Sequence, residues 1–221
     1  MSPRQRQPLF TAAAAARRGY HHGALKDALV EAARSLIAER GAAGFTLAEA
    51  AKRAGVTAAA PYRHFNDRNA LLGELARRGF EAFGARLREA WGEGRPDPIV
   101  ALWRMGEAYL DFARREPGLY GAMFSDVRAL CDAPAIEASR AAFDSLRNAA
   151  QAVLAYRGVA EAGGRQLGAQ IWAAAHGVAS LANSGYFVDG APGGDPRAIL
   201  GESVAALIFQ AVRDHDRANV R

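Results

Sequence analysis

Apolar residues recur along most of this chain at intervals of three and four residues, which is the spacing of an amphipathic α-helix. In the first such segment they are Leu25, Leu29, Ala32, Ala33, Leu36 and Ile37. No run of alternating β-branched residues appears, so the sequence predicts no sheet. We expect an all-α protein of about nine helices, each bounded by capping residues, glycine or proline.

Two short helices joined by a tight turn are predicted near the front of the chain. Thr46-Leu47-Ala48-Glu49 has the form of a capping box, in which the Thr46 hydroxyl bonds the Glu49 amide and the carboxylate bonds back. The helix ends at Gly55, where glycine takes a left-handed backbone without steric cost. Thr57 can cap a further helix over residues 58–63. This arrangement predicts a helix-turn-helix, although a generic helical hairpin has the same features.

The remaining capping residues, glycines and prolines divide the chain into four parts. Asp67 is a plausible cap for a long helix, and residues 92–98 form the clearest break. Beyond the break we predict helices over 99–115, from Pro117, from Pro134 to Gly158, over 165–186 and from Pro196. The expected parts are a flexible basic arm (1–19), a helix-turn-helix domain (20–66), a connecting helix (67–91) and a larger helical domain (92–221).

The charge is unevenly distributed between these parts. The net charge is +5, made up of +7 in residues 1–90 and −2 in residues 91–221. A basic front favours contact with a polyanion, although abundant arginine alone would give the same balance. The single cysteine, Cys131, excludes a disulfide framework and a cysteine-based zinc site, and we expect it to be inert. No apolar run has the length of a membrane span and no export signal is evident, so we expect a cytoplasmic protein without membrane contact.

The front of the chain resembles a known family. Gly44-Phe45-Thr46-Leu47-Ala48-Glu49-Ala50-Ala51, then Ala54-Gly55-Val56-Thr57 and Tyr62-Arg63-His64-Phe65, are similar to the DNA-binding domain of TetR-family transcriptional regulators. The resemblance covers roughly residues 20–80. It implies three DNA-binding helices, a linking fourth, and a larger domain that dimerises and usually holds a small ligand. Trp172, His176 and Gly177 also resemble the branch that is named for a Trp-His-Gly motif.

The resemblance and the positions of the side chains together suggest the DNA contacts. They are Thr46, Thr57, Ala58, Ala59, Tyr62, Arg63, His64 and Arg68, with Arg17 and Arg18 in an adjacent minor groove. Tyr62 and His64 match family positions that reach the phosphate backbone, although both can instead pack inward. Arg68 is a cation at a helix start, which suggests a nearby anion or a solvated side chain. Arg63 is the one long donor that can read a base in its helix, because alanines at most touch thymine methyl groups.

Large aromatic and methionine side chains recur at helical spacing in the rear of the chain. The candidate ligand contacts are Trp103, Tyr109, Phe112, Met123, Phe143, Trp172 and His176. Most such residues are simply core, and His176 fits a satisfied core histidine as well as a ligand contact. If they line a cavity, its ligand is hydrophobic or aromatic.

The last two predicted helices are the candidates for a homodimer interface, since the final helix carries a clean apolar stripe. Two copies on a two-fold axis would demand a near-palindromic operator. The alternative is that the stripe packs only within its own chain. By family resemblance, the ligand releases a repressor by population shift, with the connecting helix as the transmitting element.

Other classes of protein compete with this interpretation. The chain has no His-Glu-x-x-His, no phosphate-binding glycine loop and no Gly-x-Ser-x-Gly, so we predict no catalytic residues, no metal and no cofactor. The pair His21-His22 is a weak metal site by itself. A helical protein-binding adaptor that uses the helix-turn-helix only as a fold remains open.

Overall fold

The structure, a computed structural model, describes residues 12–125, 133–159, 163–187 and 194–219, and the side chains from residue 24 to 218 within them. Eight α-helices fill most of these ranges and no strand occurs in them, which confirms the all-α prediction. The helices are α1 (Ala12–Arg40), α2 (Leu47–Arg53), α3 (Arg68–Trp91), α4 (Pro98–Arg115), α5 (Pro117–Met123), α6 (Ala133–Tyr156), α7 (Gly164–Asn183) and α8 (Pro196–Asn219). Within the described ranges, none of them combines the length and apolar character needed to cross a membrane.

Capping residues set the helix boundaries. A carboxylate oxygen of Asp67 accepts the amide hydrogen of Ala70 at 2.8 Å, and that of Asp97 accepts the amide of Ile99 at 2.9 Å. At the end of α3, Gly92 has a φ of 52°, in the left-handed region. These contacts and conformations satisfy groups that a helix end otherwise leaves without partners. As a result, α3 spans nearly the range that the sequence predicts for the connecting helix.

The buried apolar side chains form two clusters, one toward each end of α3. The front cluster joins α1, α2 and the first half of α3, where Leu36 and Leu72 are buried. The rear cluster joins the second half of α3, including Phe83, to α4, α6, α7 and α8. A 24-residue helix is about 36 Å long, so α3 connects the two clusters as a single rigid element.

The short helix α5 lies between these clusters and contributes to both. Ala122 belongs to the front cluster, whereas Tyr120 and Met123 belong to the rear one. Contact with α1 is close: a Cβ on Gly118 would lie 2.2 Å from the carbonyl oxygen of Arg34. Only glycine fits at this position, so the predicted rear domain is packed directly onto the helix-turn-helix.

Some sequence predictions need correction. Helix α1 begins at Ala12, within the predicted arm, because the alanine tract has high helix propensity and extends the helix. Eight α-helices are described rather than about nine, because the predicted third helix has another conformation. Cys131 lies outside the described residues.

Candidate functional site

The turn after α2 has the compact form that the sequence predicts. Gly55 has a φ of 72°, and the amide of Val56 donates to the carbonyl of Ala51 at 3.0 Å. Ala51 is fully buried, and its small side chain leaves room for the close crossing of the two segments. Leu47, also buried, belongs to the front cluster. The left-handed glycine therefore redirects the chain within two residues.

The segment after the turn is not the α-helix that was predicted. Residues 58–60 form a turn and Pro61–Arg63 a 3₁₀ turn. The amide of Ala60 donates to the carbonyl of Thr57 at 3.0 Å and that of His64 to the carbonyl of Pro61 at 2.9 Å, each reaching back three residues. Pro61 has no amide hydrogen, and its ring would collide with the Thr57 carbonyl in an α-helix. No side chain caps this 3₁₀ turn, so the capping role expected of Thr57 is wrong.

Residues 57–63, here called the 57–63 turn, present most of their side chains to solvent. The exposed residues are Thr57, Ala58, Ala59, Tyr62 and Arg63. Tyr62 is 62% exposed, although Pro61 and Phe65 beside it are buried. The two buried residues therefore fix the turn to the protein, and the exposed side chains are free to contact another molecule.

His64 and Arg68 lie deeper than Tyr62. His64 is half-buried next to Phe65. The Arg68 guanidinium donates to the carbonyl of Phe45 at 3.0 Å and to that of Ala42, and lies 4.7 Å from the Phe45 ring centroid. Arg68 therefore closes the loop between α1 and α2. Its expected role as a phosphate contact stays a prediction, and two of its donor nitrogens, Nε and Nη2, already donate to internal carbonyls.

Thr46 caps α2 as predicted. Its hydroxyl oxygen accepts the Glu49 amide at 3.2 Å, and the Glu49 carboxylate accepts the Thr46 amide at 2.9 Å. The hydrogen bond from the Thr46 hydroxyl, followed by that from its amide, lowers the pKa of Glu49. Arg40 also pairs with Glu49 at 3.0 Å. Thr46 is exposed at the helix start, but Glu49 already occupies its donors.

Two predicted contacts lie outside the described side chains, and one cation was missed. The backbone of Arg17 and Arg18 belongs to α1, but their side chains are outside the described set. Lys52, near the end of α2, is exposed and makes no ion pair with the described residues. The charge of Lys52 is evident from the sequence, but its exposure to solvent can be judged only from the folded structure.

An aromatic cavity of about 440 Å³ opens between α3, α5, α6 and α7. Three of the predicted ligand contacts line it: Met123, Phe143 and Trp172. Phe80 and Phe124 complete its aromatic wall, and Ser125 and Ser139 add two hydroxyl groups. The Phe143 and Trp172 rings meet edge to face, with centroids 5.6 Å apart. This lining suits a planar apolar molecule.

Tyr109 and Phe112 lie behind this cavity, in the core. They are 2% and 6% exposed, and both pack against Phe83, at ring-centroid distances of 4.9 and 5.2 Å. Burial raises the pKa of Tyr109, so its phenol stays neutral. Neither residue lines the aromatic cavity, so in that cavity they support the wall and do not contact a ligand.

His176 is a hydrogen-bonded core histidine. Its Nδ1 lies 2.8 Å from the Tyr120 hydroxyl, and its ring lies 4.4 Å from that of Phe124. Burial lowers its pKa, which favours the neutral ring. His176 is not among the residues lining the cavity, so the structure favours the core interpretation. It still supports Phe124, which does line the cavity.

Trp103 lies on another side of the molecule. It is 46% exposed and packs on α8, where a Cβ at Gly201 would approach its ring within 1.8 Å. Trp103 therefore lies outside the aromatic cavity, and the ligand contact expected of it stays a prediction. Helical spacing placed it with the other aromatics, but the contact between α4 and α8 turns it away from them.

The apolar stripe predicted for dimerisation packs mostly on its own chain. It consists of Leu200, Val204, Leu207, Ile208 and Ala211, of which Leu200 is 4% exposed and the others are partly buried against the rear cluster. The apolar exposure that remains on α7 and α8 is at Leu181 (45%) and Phe209 (65%). The face available to a partner is therefore offset from the predicted stripe.

Comparison with protein families gives two separate matches. Residues 29–75 match the family model described as bacterial regulatory proteins, tetR family. Residues 102–208 match the model described as Tetracyclin repressor-like, C-terminal domain. The first contains α2 and the 57–63 turn, and the second contains most of the aromatic cavity.

A curated relative is the uncharacterized HTH-type transcriptional regulator YobS of Bacillus subtilis (strain 168). It is 31% identical over 100 residues, which are 45% of this chain and 51% of that protein. The match therefore spans about half the length of that relative.

Solved structures share the fold over most of the chain. A protein with unknown function from Rhodococcus sp. RHA1 is 30% identical with a TM-score of 0.68, over 89% of this chain and 97% of that one. A transcriptional regulator from the same source is 27% identical with a TM-score of 0.63, over 86% and 97%. FadR from Bacillus subtilis, solved in complex with stearoyl-CoA, is 16% identical with a TM-score of 0.64, over 81% and 96%, and shows the fold alone.

Proposed function

This chain belongs to the TetR family of bacterial transcriptional regulators, and on that premise we propose that it binds specific DNA sequences as a regulator of transcription. It acts in the cytoplasm as a homodimeric repressor, which a small hydrophobic ligand releases from a near-palindromic operator. The observation that carries the proposal is the 57–63 turn, whose exposed side chains are fixed to the protein by buried Pro61 and Phe65.

The proposed DNA contact relies mainly on phosphates. Tyr62 is exposed and its hydroxyl makes no hydrogen bond to the described residues, and Thr57 and Lys52 add an exposed hydroxyl and an exposed cation. Such groups position a protein on DNA without reading sequence. Ala58 and Ala59 allow close approach to the groove, where their methyl groups can contact thymine.

Arg63 is the proposed base-reading residue. It is exposed in the 3₁₀ turn and makes no ion pair with the described residues. A guanidinium that binds a guanine through two hydrogen bonds contributes roughly 1–3 kcal/mol of discrimination. Because base readout is so sparse, DNA shape and the side chains of Arg17 and Arg18 would supply further selectivity.

Dimerisation through α7 and α8 follows from the apolar surface that they leave exposed. Leu181 of α7 and Phe209 of α8 are exposed apolar side chains that a second copy would cover. Two 57–63 turns related by a two-fold axis would then meet successive major grooves.

The aromatic cavity is the proposed ligand site. Its wall includes Phe80 of α3 and Met123 of α5, so a bound molecule contacts both helices that join the rear cluster to the front. Arg34 of α1 pairs with Glu116 at the start of α5 at 2.6 Å. Displacement of α3 and α5 by the ligand would therefore change the spacing of the two 57–63 turns and reduce operator affinity.

Selection of bound sequences from random duplexes tests the DNA-binding proposal. We expect a two-fold symmetric motif and a steep loss of affinity with salt, with a slope close to −0.9 per phosphate neutralised. Binding without a motif, or no binding to duplex DNA, would instead favour the protein-binding adaptor.

The variant Arg63→Ala refines this test. It should remove the preference at one base pair in each half-site and leave the other positions unchanged. Arg140→Ala, at an exposed site on α6, is the matched control and should retain the whole motif. Equal weakening at every position in the Arg63 variant would show that Arg63 is a phosphate contact.

A further inference from the structure

A second groove lies where the front and rear clusters meet, separate from the aromatic cavity. Its volume is about 620 Å³, and its walls come from α1, α3, α4 and α5. Four arginines line it: Arg34, Arg86, Arg104 and Arg115. We call it the arginine groove. Nothing in the proposed DNA contact or in the aromatic cavity uses it.

The acidic residues of the arginine groove are already paired. Glu116 binds Arg34 at 2.6 Å, and Glu89 binds Arg86 at 3.4 Å. The third, Asp111, is bound by Arg197, which lies outside the groove, at 3.2 Å. Two arginine charges, those of Arg104 and Arg115, therefore have no compensating carboxylate among the described residues.

These two arginines lie toward opposite ends of the groove. Arg104 donates to the carbonyl of Arg95, but its Nε is buried and has no partner among the described groups. Arg115 is exposed next to Glu116 and makes no ion pair with a described residue. They are roughly 16 Å apart along the axis of α4, as eleven residues at 1.5 Å require.

The surface of α4 between the two arginines is mostly apolar, and the one carboxylate of α4 that lines it, that of Asp111, is paired with Arg197. Ala108 and Phe112 of α4 form its floor, and Leu119 of α5 closes one side. A buried guanidinium donor without an acceptor is unfavourable, and an anion supplies the acceptor. A mostly apolar middle with an uncompensated cation toward each end is complementary to a ligand that has an apolar segment between two anionic groups.

We propose that the arginine groove binds an elongated organic dianion, in which two carboxylate or phosphate groups are joined by an apolar segment. One anionic group binds Arg104 and the other binds Arg115, while the apolar segment packs on Ala108 and Phe112. The occupant also contacts Arg34 of α1, so it holds the helix-turn-helix against α3, α4 and α5. Its binding stabilises their present arrangement, in contrast to a ligand in the aromatic cavity.

Titration calorimetry with azelate, a linear dicarboxylate, tests the proposal on the full chain. We expect saturable binding that Arg104→Gln and Arg115→Gln each weaken roughly tenfold, as the loss of a charge-assisted contact requires. Ala108→Trp fills the floor and should abolish binding. The matched control Arg157→Gln, at an exposed site after α6, should bind azelate like the wild type.

A second variant separates this groove from the aromatic cavity. Ala169 lines only the cavity, so Ala169→Phe should leave azelate binding intact. The proposal is overturned if the wild type does not bind azelate, if both glutamine variants bind it unchanged, or if Ala169→Phe abolishes binding. Circular dichroism of each variant checks that a loss of binding is not a loss of folding. None of these outcomes depends on whether the protein binds DNA.

Discussion

Replacing Glu74 by glutamine tests how the front of α3 is held to α1. Glu74 is 9% exposed and binds Arg77 and Arg78, each at 2.9 Å, and Lys26 of α1 at 3.3 Å. Burial alone would raise the pKa of Glu74. The hydrogen bonds from the two arginines, with the nearby charges of Arg77 and Lys26, outweigh burial and lower the pKa from 4.5 to about 2.

The sign of this shift fixes the pH dependence of stability. A carboxylate whose folded pKa is lowered contributes stability that is present above its unfolded value, near 4.5, and lost as pH falls through about 2. The full shift corresponds to about 3 kcal/mol. Solvent around the partly exposed cations reduces this to about 2 kcal/mol. Glu74→Gln should therefore lower the free energy of unfolding by about 2 kcal/mol at neutral pH and by less than half of that at pH 3.

Urea denaturation of wild type and Glu74→Gln between pH 7 and pH 2.5 measures the difference directly. The matched control is Glu89→Gln, whose carboxylate is 73% exposed and pairs with Arg86 at 3.4 Å. Glu89→Gln should lower the free energy of unfolding by less than about 0.5 kcal/mol at any pH. A difference between wild type and Glu74→Gln that stays constant across the whole range would refute the reasoning, because only the loss of an ionised group depends on pH.

Three other substitutions, one of them with a control variant, have defined outcomes. Thr46→Ala removes the capping hydroxyl of α2 and should lower the free energy of unfolding by about 1 kcal/mol, measured by urea denaturation. Gly118→Ala places a Cβ 2.2 Å from the Arg34 carbonyl and should cost about 1–3 kcal/mol, whereas Gly177→Ala, which meets nothing within 4 Å, should not destabilise the protein. Ala169→Phe fills the aromatic cavity and should abolish release by hydrophobic ligands while leaving operator affinity unchanged, as a gel-shift titration would measure.

Local chemistry in the sequence was enough to predict most helix boundaries. The capping box at Thr46, the cap at Asp67 and the glycine at Gly92 act within a few residues, so their spacing in the sequence is also their spacing in the structure. The burial of Leu29 and Leu36 follows from periodicity for the same reason. Contacts within one or two helical turns can thus be predicted from the sequence without knowledge of the fold.

Contacts between segments that are distant in the sequence could not be predicted in this way. The cation at Arg68 suggested a nearby anion or a solvated side chain, but its guanidinium donates to the carbonyls of Ala42 and Phe45, more than twenty residues earlier. Trp103 has the spacing of its neighbours, yet its direction depends on the absence of a side chain at Gly201. In both cases the deciding partner is set by how helices cross, which periodicity does not encode.

The same limit applies to the division into domains. Composition places a boundary at residues 92–98, and the family matches leave a gap there, but the packing boundary runs through α5 instead. Ala122 is buried in the front cluster, and the next residue, Met123, lines the aromatic cavity. A ligand that displaces Met123 therefore acts on the front cluster across one peptide unit, whereas coupling through α3 requires the whole helix to tilt. Since Gly118 and the pair of Arg34 with Glu116 fasten α5 to α1, this short helix is the more direct connection between the cavity and the 57–63 turn.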